Sequence, residues 1–86
     1  MIGTASSTDQ MNLVSGANLQ ATTLNSAQAG IQAVATGSLS VDTAESALDQ
    51  RYTSQANMVL TDVLSHQGAI TAHTAGNMSK NSREAD

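Results

Sequence analysis

No side chain between Gln10 and Val41 is ionisable, and then Asp42, Glu45 and Asp49 follow in close succession. An uncharged stretch of that length belongs in lipid, against protein, or on a neutral polar surface. Asn12, Asn18, Gln20, Asn25, Gln28 and Gln32 interrupt the run, whereas a spanning helix needs about 20 predominantly apolar residues. The chain therefore reads as not membrane-spanning. Its neutral half reads as a surface that another polypeptide covers, because desolvating Ser, Thr and Ala costs less than desolvating Lys or Glu.

Size sharpens this expectation. The 86 residues are read as one domain, residues 1–86, and a domain so small leaves much of its surface exposed. Phe and Trp are absent, and Tyr52 is the sole aromatic residue. Such domains recruit a disulfide, a metal or a second chain. Cysteine is absent, and two histidines without cysteine make a poor structural metal set, so association is expected and no cofactor is. A net charge of −4 with only Arg51, Lys80 and Arg83 as basic residues gives no footprint for a phosphate backbone, which argues against nucleic acid. Residues 1–9 have neither the basic nor the continuous apolar region of a cleavable signal peptide.

Spacings of three and four connect Leu13, Ala17, Ala21, Leu24, Ala27 or Gln28, Ile31 and Val34, the mark of a helix stripe. Ser7, with Gln10 three residues on, has the form of a capping box, so helix one is predicted over about residues 7–36. Gly37 lies just past the stripe as its expected stop, and residues 37–41 form the turn. Asp42, three residues ahead of Glu45, then starts helix two, with its acids at the positive end of the new dipole. A second stripe, Ala44, Leu48, Tyr52, Ala56, Val59, Val63 and Ile70, carries helix two to about residue 80, before a frayed tail. No convincing internal repeat is visible.

The expected fold class is thus all-α, an antiparallel two-helix hairpin that completes a four-helix bundle by homo- or hetero-dimerisation. Its helix-packing and partner-interface residues would be Leu13, Ala17, Leu24, Ile31, Leu48, Tyr52, Val59, Val63 and Ile70. Gly37, Asp42 and Glu45 would supply the turn and caps. In such a helix His66 and His73 stand roughly 10 Å apart along the axis, too far to share one metal, and Asp62, four residues before His66, reads as a surface contact. There is no G-x-S-x-G and no phosphate loop, so a non-enzymatic role is expected.

The polar first helix Ser15-Gly16-Ala17-Asn18-Leu19-Gln20-Ala21-Thr22, the turn Gly37-Ser38-Leu39-Ser40 and the acidic C-terminal Asp86 together resemble the small helical hairpins of Gram-positive type VII secretion. The similarity is to the WXG-like superfamily, in its subgroup associated with LXG toxins. Such membership implies a targeting factor that binds the helical N-terminal region of an LXG-type toxin, alone or with a second small helical protein, and meets the secretion machinery. It implies a cytoplasmic protein that is then secreted or held at the cell surface, with Asp86 as candidate export signal. Two other classes share the composition: a self-assembling needle or rod subunit of a secretion system, and a small cytoplasmic chaperone or regulator.

Overall fold

The computed structural model describes residues 2–83, and among them there is no helix. The chain forms β1 (Ile2–Ser7), β2 (Met11–Ser15), β3 (Leu19–Ser26), β4 (Ile31–Ala35), β5 (Leu39–Ser46), β6 (Gln50–Ser54), β7 (Met58–Ser65), β8 (Ile70–Thr74) and β9 (Met78–Arg83). Odd strands make one sheet in the order β1-β3-β5-β7-β9, and even strands make a second in the order β2-β4-β6-β8. Every pairing is parallel. Each turn of chain thus contributes one strand to each sheet before the next turn is laid on top. This is a β-solenoid, whose turns cannot bury an apolar face alone and do so by stacking.

The repeat is set by register. Ile2 pairs with Ala21, Ala21 with Val41, Val41 with Leu60 and Leu60 with Lys80, so successive turns alternate between 19 and 20 residues. The alternation arises at one corner. Three residues separate Ser7 from Met11 and Ser46 from Gln50, but four separate Ser26 from Ile31 and Ser65 from Ile70. The two wider corners contain Gly30 and Gly68. A Cβ on Gly30 would run into the backbone carbonyl oxygen of Asp49 in the next turn, and one on Gly68 would strike the Asp49 side chain.

Side chains stack in inward columns. Leu19, Leu39 and Met58 form one, Ala21, Val41 and Leu60 another, and Leu24, Ala44 and Val63 a third. Across the core, Tyr52 lies between Ala33 and Ala72 in register, so a large ring is accommodated by small neighbours, as close packing requires. Polar columns run beside these. Ser26, Ser46 and Ser65 are buried in register with half-buried Ser7. Their hydroxyls tie down the variable corner: Ser26 donates to the Asp9 carbonyl (2.8 Å), and Ser46 and Ser65 both donate to that of Leu48 (2.6 and 2.7 Å). At the other corner Asn18 Oδ1 accepts from the Ser38 amide (2.9 Å) and Asn57 Oδ1 from the Asn77 amide (3.1 Å).

These findings replace the hairpin, its two helices over 7–36 and 42–80, and the four-helix bundle. The physical reason lies in the spacing. Within β3, β5 and β7 the buried positions fall two, three and two residues apart, because two consecutive residues in each, Thr22-Thr23, Asp42-Thr43 and Thr61-Asp62, face outward or are only part-covered. Ala21, Leu24 and Ile31 then lie three and seven apart, as on a helix face. The capping signals also serve other geometry: Ser7 Oγ accepts from the Asp9 amide (3.1 Å), Gln10 Oε1 accepts from the Gly30 amide (3.2 Å), and Asp42 and Glu45 are exposed residues of β5. Residues 37–41 are no hairpin turn; Gly37 and Ser38 close the second solenoid turn and β5 begins at Leu39.

One buried network spans the core. Gln50 Nε2 donates to Ser46 Oγ (3.0 Å) and to the Leu64 carbonyl (2.7 Å), while the Tyr52 hydroxyl donates to Gln50 Oε1. Burial pushes the Tyr52 phenol well above its ordinary value. The folded state therefore holds this proton more tightly than the unfolded chain. Stability is full below the ordinary phenol pKa of about 10 and falls as pH rises beyond it. Denaturant melts should show that decline in the wild type and lose it in Tyr52→Phe, which at neutral pH should cost about 1–3 kcal/mol by stranding Gln50 Oε1. A second contrast checks the inward columns: Val63→Asp should cost roughly 3–5 kcal/mol or more, whereas Val59→Asp, on a side chain 41% exposed, should change the melt by no more than about 0.5 kcal/mol.

Candidate association surface

The positions expected to form a helical interface are dispersed. Leu24, Ile31, Tyr52, Val63 and Ile70 are buried in the common core and Leu13 packs half-buried against it. Ala17 is exposed at a corner, Leu48 is 44% exposed beyond β5, and Val59 points outward from β7. No single face presents this set to a partner. Asp86 lies outside the described residues. Asp62 and His66 do not meet each other: Asp62 Oδ1 accepts from Arg83 Nη2 (2.9 Å), and His66 Nε2 meets Glu45 Oε2. Both contacts bridge neighbouring turns on an exposed surface, where such pairs contribute about 0–1 kcal/mol.

An open groove of about 400 Å³ is lined by Gln10, Ile31, Gln32, Leu48, Asp49 and Arg51. Arg51 makes no ion pair among the described residues. Asp49 is occupied structurally, its Oδ1 accepting from the Ala69 amide (2.9 Å). The groove offers two amides, one cation, one carboxylate and two apolar side chains, Ile31 and Leu48. Among the described residues no three His, Asp or Glu side chains group as a metal site, and no helix is long and apolar enough to cross a membrane.

The two ends of the solenoid differ more than its faces do. At the first turn, β1 pairs only with β3 and β2 only with β4 among the described strands. Their core-side residues are Ile2, Ala5, Met11 and Leu13. At the last described turn, the columns of Ile2 and Ala5 end in Lys80 and Ser82 of β9, which register with Leu60 and Val63, while those of Met11, Leu13 and Leu19 end in Ile70, Ala72 and Met78. A charge placed in an inward column is a recognised way to blunt a strand edge.

Charge follows the same axis. Asp9 is the only ionisable residue of the first two turns, whereas Asp42, Glu45, Asp49, Arg51, Asp62, Lys80 and Arg83 all lie on later ones. The neutral run that looked like one helix face is thus one end of a solenoid. Sequence reasoning missed this end, although Ser7, Ser26, Ser46 and Ser65 at alternating intervals of 19 and 20, and Asn18, Asn57 and Asn77 at the opposite corner, mark the repeat. Neither family models, nor curated proteins, nor solved structures give a match to this chain. The fold thus defines the chain's class, a short parallel β-solenoid.

Lys80→Leu tests the blunting of the far end. Restoring an apolar column should make β9 adhesive, so that sedimentation shows assemblies growing with concentration beyond those of the wild type. An unchanged distribution would show that Lys80 does not guard this edge.

Proposed function

We propose that this chain is a non-enzymatic association module that takes up another polypeptide on the neutral, apolar edge of its first turn. A polypeptide bound there pairs with the backbone groups of β1 and β2 that no described strand takes up and covers Ile2, Ala5, Met11 and Leu13. This is strand addition, in which main-chain hydrogen bonds supply affinity and side-chain pockets supply selectivity. The observation that carries the reading is the difference between the ends: no charge in any inward column at one, and Lys80 in an inward column, with Ser82 beside the apolar Ile70, Ala72 and Met78, at the other.

Export beside a secreted toxin in a type VII pathway is one setting for such a module. It rests on the sequence resemblance of residues 15–22, 37–40 and 86, of which 15–22 and 37–40 are strand and corner here and not helix and hairpin turn, and it requires a partner that docks on strand edges. The stacked repeat favours self-assembly as the second reading, since a solenoid end is built to receive another turn.

Hydrogen–deuterium exchange of the full chain, followed across a dilution series and with any co-purifying partner, tests the module. Association should slow exchange over Ile2–Ser7 and Met11–Ser15 more than over Met78–Arg83. Protection confined to the outer faces or to β9 would refute it.

A further inference from the structure

We infer that the occupant of the first-turn edge is a second copy of this chain, joined first turn to first turn about a two-fold axis. This rests on the association reading above and names its partner. A ligand for that edge must present free strand groups, apolar residues over Ile2, Ala5, Met11 and Leu13, and no charge in the inward columns. The first turn of another copy meets all three conditions.

The far end of another copy fails the last of them: Ile70, Ala72 and Met78 are apolar there, but Lys80 stands in an inward column. Head-to-tail stacking would set Lys80 over Ile2 and Ser82 over Ala5 if the existing register of β1 with β3 and β7 with β9 were continued. That would bury an ammonium group without a partner, which is strongly unfavourable.

Electrostatics selects the same arrangement. The chain carries a net −4, and its charges begin at Asp42 except for Asp9. Two first turns in contact therefore meet across neutral surface, with Asp9 confined to a corner outside the strands and the other acids two or more turns away. An isologous contact closes on itself, whereas a head-to-tail contact propagates into a filament. Blunted outer ends and adhesive inner ends make a closed dimer of two solenoids on a common axis.

Sedimentation and light scattering of the full chain test this directly. The expected mass is twice the 8.8 kDa of the chain, reached without higher species. Ala5→Lys and Leu13→Lys each copy the Lys80 device onto the first turn and should yield folded monomers at concentrations where the wild type is dimeric; circular dichroism separates this from unfolding. A second measurement needs no destabilising change. Spin labels on Thr4→Cys should give a short inter-chain distance and labels on Ser79→Cys a long one, in a chain with no native cysteine. A monomer whose β1 amides become protected by some other protein would overturn the dimer and spare the association module. A monomer with β1 unchanged in every mixture would overturn both, and a filament or a short Ser79–Ser79 distance would overturn the two-fold arrangement.

Discussion

The parallel hydrogen-bond ladder between turns is the constraint on which the molecule depends. It fixes each residue over its counterpart 19 or 20 positions away, and from that register come the apolar columns, the serine column and the corner amides that Asn18, Asn57 and Asp49 accept. A slip of one residue would turn the inward side chains outward. The buried serines and the Tyr52–Gln50 network oppose such slips, because their hydrogen bonds are satisfied only in this register. No buried side-chain nitrogen or oxygen of the described residues lacks a partner.

A small domain without disulfides and with Tyr52 as its one large aromatic residue can be held this way because the ladder is repeated. Each turn adds little apolar area, but both of its faces are covered by neighbours, and interior turns lose almost no burial to solvent. The cost is concentrated at the ends. Much of the distinguishing chemistry lies there: apolar residues and no charge in the inward columns of the first turn, Lys80 and Ser82 beside the apolar Ile70, Ala72 and Met78 in those of the last. The neutrality of Gln10–Val41 and the charge carried by the later turns thus describe a gradient along the solenoid axis.

The absence of charge and the scarcity of large apolar residues were legible in the sequence, and both describe the first turns of the solenoid. The secondary structure was not legible by periodicity alone. Two consecutive uncovered residues inside each long strand space the buried residues two, three and two apart, and corners of alternating length add intervals that coincide with helix turns. Leu24, Ile31, Tyr52 and Val63 entered the predicted stripes for that reason and are buried in columns instead, while Leu48 and Val59 entered by the same spacing and are exposed. Composition held the contrary signal. Ser, Thr, Asn and Gly favour caps, turns and corners over helix interiors, and they recur at the solenoid's corner positions. The repeat itself was hidden because column members differ in size, as in Ala33, Tyr52 and Ala72, and only the serines keep their identity.

Inter-strand nuclear Overhauser contacts offer the most direct measurement of the ladder. In the solenoid, backbone protons of Thr23 and Thr43, and of Val34 and Thr53, lie across adjacent parallel strands. Long-range cross-peaks linking each pair are the predicted result. Continuous sequential amide–amide contacts through residues 13–34 and 44–70, with those long-range peaks missing, would mean that the chain is helical and that the solenoid, its columns and its adhesive end do not exist.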